Sequence, residues 1–202
     1  MRLYQMQDSG NCYKLRLLAN LLGQPLDLID IDILKGESRT SDFLTKNPNG
    51  RVPLLELDDG RLLAESNAIL FWLAQDTAFW PEDTFQQARV LQWMFFEQYS
   101  HEPYIAVARF WQSISPTCPE DMKNRFPEWH QKGYAALDVM ETHLSAQPFF
   151  VGNRCTIADI ALFAYSHLAH EGGFDLTEYS SINAWVSRIT NMTRYIPIDW
   201  RS

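Results

Sequence analysis

Hydrophobic periodicity changes character about a third of the way along the chain. Residues 3–6 read as a short strand. Residues 13–22 carry Leu15, Leu18, Leu21 and Leu22 at helical spacing, and Gly23 supplies a stop. Residues 26–33 set Leu28, Ile29, Ile31 and Ile33 among Asp27, Asp30 and Asp32, the pattern of a second strand. A strand, a helix and a strand in this order predict a parallel pair joined by a crossover helix. Residues 41–45 then suggest a short helix. Residues 52–57 and 61–64 flank Asp58-Asp59-Gly60 and read as a hairpin, and Glu65-Ser66 opens an apolar helix over 67–75.

Residues 76–84 hold Pro81 and three acids and read as a linker. Beyond them no strand pattern stands out. Residues 85–112 form a long helical pattern that Pro103 is expected to bend. Residues 119–144 form another, interrupted or restarted at Pro127. Residues 156–170 are an apolar helix ahead of Gly172-Gly173, and 181–190 a last amphipathic one. The expected organisation is therefore an α/β domain over 1–76, a linker over 77–84 and an all-helical domain over 85–202. There is no internal repeat.

Composition narrows the function. With 46% hydrophobic and 21% charged residues in 202, the chain is globular in composition. A net charge of −8 argues against a nucleic-acid partner held through phosphates. No apolar run is long enough to cross a membrane, and the first residues lack a secretory leader's apolar stretch. Cys12, Cys118 and Cys155 form no metal or CxxC pattern, so no metal is expected, and sparse cysteine suits a reducing, cytoplasmic setting.

Four local signals carry the chemistry. Ser9-Gly10-Asn11-Cys12-Tyr13-Lys14 sits between the first strand and the first helix. A helix start offers free N–H groups and partial positive charge, and a hydroxyl there can either cap the helix or donate to an anion. If the anion is a thiolate, its formation is favoured. Lowering a thiol from roughly 8.5 by about two pH units takes only about 2.7 kcal/mol, within reach of one charge-assisted hydrogen bond plus the dipole. Asn47-Pro48-Asn49-Gly50-Arg51-Val52-Pro53 enters the third strand, where Pro53 is either an ordinary trans proline or a cis one that turns the Val52 N–H and C=O toward an extended, peptide-like ligand. Glu65-Ser66-Asn67 opens the next helix; it either caps that helix or holds an α-amino-acid end, Ser66 on the carboxylate and Glu65 on the ammonium. Thr156-Ile157-Ala158-Asp159 is a capping box, read as structural.

Together these stretches, with Phe149-Phe150-Val151-Gly152, resemble the cytosolic glutathione transferase family in order and spacing, and are most similar to its bacterial, serine-type members. The resemblance implies a thioredoxin-like N-terminal domain, a C-terminal helical bundle, glutathione as co-substrate and a homodimer. It raises the expectation of a cis Val52-Pro53 bond. It gives Ser9 and Asn11 the catalytic role, activating the glutathione sulfur. It gives Val52 and Pro53, Glu65 and Ser66 the glutathione backbone and γ-glutamyl end, with Arg51, Lys35 and Arg39 as candidates for the glycyl carboxylate. Tyr4 lies within the first strand and Cys12 about one turn deeper than the activating position, so neither is the expected activator.

The expected reaction is attack of the thiolate on a small hydrophobic electrophile, a peroxide or a disulfide. The second-substrate pocket is expected from Met6 and Gln7, with Tyr104, Val107, Ala108 and Trp111, and Arg109 is a candidate partner for an anionic substrate. The same aromatic stripe also suits helix core. The alternative is a non-catalytic, glutathione transferase-like binding or regulatory protein.

Overall fold

Residues 1–201 are described by a computed structural model and divide into two units. One is Met1–Gln75 with the described part of Met192–Ser202; the other is Asp76–Asn191.

The first unit is built on a four-stranded sheet. Its elements are β1 (Arg2–Gln5), α1 (Gly10–Leu22), β2 (Asp27–Asp30), α2 (Ser41–Lys46), β3 (Leu54–Glu56), β4 (Leu62–Ala64) and α3 (Ser66–Ala74). The strand order is β2-β1-β3-β4, with β1 parallel to β2 and antiparallel to β3, and β3 antiparallel to β4. This is a thioredoxin-like mixed sheet. Leu3 pairs with Leu28 on one side and Leu55 on the other, and is fully buried. Leu15, Leu17 and Leu18 of α1 and Ile69, Leu70 and Leu73 of α3 complete this core.

Two boundaries differ from the sequence reading, each for a local reason. α1 starts at Gly10, a turn earlier than residue 13, because Ser9 takes the cap position and its Oγ accepts the Cys12 N–H at 3.3 Å. β2 stops at Asp30 because Asp32 turns to accept the Leu34 and Lys35 N–H groups, starting a 3₁₀ turn at Ile33–Lys35. The predicted stop at Gly23 is present. Its φ of 68° suits glycine, and its N–H closes the helix on Ala19 and Asn20 carbonyls.

The last residues differ from the expectation that the helical domain runs to 202: they pack on the first unit. Asn20 Nδ2 donates to the Arg194 carbonyl (2.6 Å), Tyr13 Oη to that of Ile196 (2.7 Å) and Arg16 Nη2 to that of Ile198 (2.9 Å). Side chains of α1 thus satisfy backbone carbonyls of an otherwise irregular tail.

The second unit holds α4 (Thr84–Phe96), α5 (Glu102–Arg109), α6 (Glu120–Lys123), α7 (Phe126–Ala146), α8 (Ile157–Ser166) and α9 (Ser180–Thr190). Between α4 and α5 the chain widens into a π-helical turn at Glu97–His101, which places Pro103 in the first turn of α5, where a missing N–H is tolerated. Pro127 likewise sits in the first turn of α7, so it restarts a helix without breaking one. The core gathers Trp129, Phe150, Phe163, Phe174 and Trp185, all essentially inaccessible. α8 is buried along its whole length, and Asp159 at its start is wholly enclosed. Among the described residues no helix is long and apolar enough to cross a membrane, and no group of His, Cys, Asp and Glu is arranged to hold a metal.

Candidate functional site

The β1–α1 turn and the start of α3 meet at the sequence-predicted centre. α1 has no acidic residue in its first turn, so its positive end is not neutralised there. Ser9 uses an oxygen lone pair on the Cys12 N–H, and its hydroxyl also hydrogen-bonds the Cys12 thiol, which lowers that thiol's pKa against the larger effect of burial. Capping and donation are compatible: one lone pair serves the helix, and the hydroxyl can rotate its proton from the thiol to a ligand. Asn11, on the same turn, accepts from Ser66 Oγ through Oδ1 at 3.1 Å, which joins the two helix starts.

At α3, Ser66 is buried and supplies a first-turn N–H with no intrahelical acceptor. Glu65, just before it, is exposed and held at φ 69°, a left-handed conformation that disfavours residues with a side chain. No glycine is present to relieve it. Backbone outliers of this kind persist where surrounding structure enforces them, and they cluster at ligand sites.

Val52-Pro53 is cis, as the resemblance implied. Val52 is half-buried just before β3, and its N–H and C=O make no hydrogen bond among the described residues. Asn47 braces this loop, donating from Nδ2 to the Arg51 carbonyl at 2.8 Å. Of the basic candidates, Arg39 reaches the same loop, with Nη1 on the Asn49 carbonyl at 3.0 Å. Arg51 is exposed. Lys35 is turned to Asp32 at 3.0 Å, which raises its own pKa and depresses that of the carboxylate.

The two rejected activators are engaged elsewhere. Tyr4 Oη donates to Glu56 at 2.6 Å, and that bond to a carboxylate raises its pKa. Cys12 is fully buried, its Sγ accepting the Met6 N–H at 3.4 Å; burial pushes its thiol up, so it stays protonated.

The residues expected to line a second pocket belong to both units. Met6 is half-buried beside Cys12. Gln7 spends its amide on the tail, donating to the Ile198 carbonyl at 2.6 Å and the Trp200 carbonyl at 3.0 Å. In the helical unit, Tyr104 and Val107 are half-buried on α5, and Trp111 stands edge-on to Phe110. Ala108 is fully buried and faces core. Arg109 is also buried and paired with Glu171 at 2.7 Å, so its charge already has a partner. A separate cavity of about 180 Å³, lined in part by Arg16, Pro25, Leu28 and Trp200, shares no residue with the Ser9–Ser66 constellation.

Lys14 escaped the sequence reading. It is fully buried on α1, and its Nζ donates to Ser66 Oγ at 3.3 Å and Asn67 Oδ1 at 3.4 Å. The signal was present in the chain: position 14 is three residues after Asn11, hence on the same helix face, in a segment otherwise rich in leucine.

The chain is similar to known proteins along most of its length. Residues 3–79 match the family model described as glutathione S-transferase, N-terminal domain, and residues 93–192 that of the C-terminal domain. Glutathione S-transferase 2 of Anopheles gambiae is 30% identical over 187 residues, covering 90% of this chain and 86% of the relative. Among solved structures, a glutathione S-transferase from Pseudomonas fluorescens is 52% identical, with a TM-score of 0.94 and 98% of each chain covered. A possible glutathione S-transferase from Rhodopseudomonas palustris is 47% identical, with a TM-score of 0.96, covering 100% of this chain and 90% of the other.

Proposed function

The chain belongs to the glutathione S-transferase family, and from that premise we propose that it is a glutathione transferase in which Ser9 ionises the bound glutathione thiol. The observation that carries the reading is the Ser9 hydroxyl. Its oxygen is fixed by the Cys12 N–H, its proton can turn from the neutral Cys12 thiol to a stronger, anionic acceptor, and it stands at the start of α1, whose first turn holds no acidic residue. A thiolate placed there gains a charge-assisted hydrogen bond and the helix dipole together. Asn11 adds a second polar contact.

Glutathione is the co-substrate in this reading. The Ser66 N–H and the start of α3 take the γ-glutamyl carboxylate, and Glu65 takes its ammonium. The Val52 N–H and C=O pair with the cysteinyl part in the manner of an added strand. Arg39 and Arg51 serve the glycyl carboxylate. Lys35, held by Asp32, is the weaker candidate. The second reactant is a small hydrophobic electrophile, a peroxide or a disulfide, and holding both reactants supplies proximity. Ser9 is a donor and not a nucleophile, so no His or Asp partner is needed. The protein acts in the cytoplasm as a homodimer, in detoxification.

The test is the rate–pH profile of glutathione conjugation to an aryl halide. Ser9→Ala is expected to lower kcat/KM at pH 6.5 by about fivefold or more and to move the alkaline rise upward by at least one pH unit. An unchanged profile removes Ser9 from the mechanism. Retention on immobilised glutathione with no turnover of an aryl halide, hydroperoxide or disulfide selects the non-catalytic binding role instead.

A further inference from the structure

We propose that Lys14 is a positioning residue for thiol activation, fixing through Ser66 which end of the Asn11 amide faces the start of α3; this rests on the glutathione reading above. Lys14 has no solvent exposure, and a buried ammonium is costly unless hydrogen-bonded. A methionine of similar length would fill the same space without that cost. What the lysine adds is direction. An ammonium has donors only, so Ser66 Oγ, 3.3 Å from Nζ, accepts from it and passes its own proton onward. The recipient is Asn11 Oδ1, 3.1 Å from Ser66 Oγ.

In the structure the carboxamide presents its oxygen to this hydroxyl. Reversed, its N–H₂ could take the second lone pair of Ser66 Oγ, but it would turn the amide's positive end toward the Lys14 ammonium, so the buried charge favours the orientation seen. The Asn11 oxygen is thereby held toward α3 and its N–H₂ directed away from it. An amide donor stabilises an anionic sulfur, whereas an amide oxygen in the same place repels it. Lys14 also donates to Asn67 Oδ1 at 3.4 Å, so it braces the first turn of α3 at two points. The helix start that takes the γ-glutamyl end and the one that takes the sulfur are then oriented by one buried charge.

The experiment titrates the thiolate absorbance of glutathione bound to wild type, Lys14→Met, Lys14→Arg, Ser66→Ala, Asn11→Ala and the double variant Lys14→Met/Asn11→Ala. Near-ultraviolet circular dichroism checks that each is folded. Lys14→Met is expected to raise the pH of half-ionisation by about one unit, a roughly fivefold loss of thiolate at pH 6.5. Lys14→Arg, which keeps donors and charge, is expected to recover most of that loss. Ser66→Ala breaks the relay while keeping the lysine, which retains Asn67 Oδ1 as an acceptor, and is expected to give a similar rise; it decides the matter if Lys14→Met does not fold. In the Asn11→Ala background, Lys14→Met is expected to add little, because both act through one amide. An undiminished Lys14 effect without Asn11, or a glutathione KM that rises with no change in ionisation, overturns the relay alone. Failure of wild type to ionise bound glutathione overturns the reading beneath it as well.

Discussion

Asp159 is where the fold changes the size of an expected effect. As a capping residue alone, its loss is worth about 0.5–2 kcal/mol. In the structure its buried carboxyl accepts four bonds. Oδ1 takes the Phe150 N–H and the Trp185 indole N–H, each at 3.0 Å; Oδ2 takes the Thr156 N–H at 2.8 Å and its hydroxyl at 3.0 Å. One side chain ties the loop before α8, the start of α8 and a core tryptophan of α9. Asp159→Ala strands three buried N–H donors, each costing about 1–3 kcal/mol, with the lower end apt because water can enter the vacated space. The expected loss is about 3–5 kcal/mol in urea unfolding followed by tryptophan fluorescence and circular dichroism. A loss under about 1 kcal/mol would refute this reasoning.

A pH series tests the same site independently. Burial lifts the Asp159 carboxyl from 3.8 to about 6, against the pull of its donors. The folded chain therefore binds this proton more tightly than the unfolded chain. The associated stability is full below about 3.8 and is lost as pH rises through about 6, roughly 3 kcal/mol in all. His167 runs the other way: burial lowers it to about 4, so its contribution is full above 6.5 and is lost as pH falls. The two oppose each other in wild type, so the informative quantity is the gap between wild type and Asp159→Asn. That gap is expected to widen by about 2 kcal/mol from pH 7.5 to 4.5. A flat gap would mean that the carboxyl is not perturbed.

Glu65→Gly removes a side chain from a left-handed backbone. It is expected to raise stability by about 1 kcal/mol, the relieved strain less the entropy of glycine, while raising the glutathione KM about tenfold by deleting the ammonium's partner. Thermal melts and steady-state kinetics check both; a variant that gains nothing in stability contradicts the strain. At Gly133 on α7, an added Cβ would stand 2.5 Å from Phe174 Cε1, inside a full core. Gly133→Ala is expected to cost about 1–2 kcal/mol in urea unfolding, despite alanine's better helix propensity. With a thiol reagent, native protein is expected to show one accessible cysteine, Cys118, and to release buried Cys12 and Cys155 only on denaturation. Rapid labelling of Cys12 would contradict its burial.

The chain made much of the first unit readable because its signals are local. The apolar pair Leu28-Ile29 of β2, the Asp58-Asp59-Gly60 hairpin and the Gly23 stop each depend on a few neighbouring residues. Pro103 and Pro127 were legible as interruptions, but the repair was not. A π-helical turn that lets a helix resume needs the whole packed unit to define it. The tail was misplaced for a similar reason. Nothing near Ile196 or Ile198 announces that α1 side chains more than 180 residues earlier receive their carbonyls. At the site, the sequence posed capping and thiol activation as alternatives for Ser9; the structure shows the cap, and a hydroxyl that caps through its oxygen can still donate its proton. Lys14 was hidden because a charge in a leucine-rich helix reads as a solvated face until burial is known.

The central claim is tested most directly by titrating the sulfur of bound glutathione, with no electrophile present, in wild type and Ser9→Ala. Difference absorbance of the thiolate between pH 5 and 10 reads ionisation alone, free of turnover and product release. Wild type is expected to ionise its glutathione about two pH units below the free thiol value of roughly 8.5, and Ser9→Ala to give back at least half of that shift while still binding. Superimposable titrations of the two proteins would contradict the account.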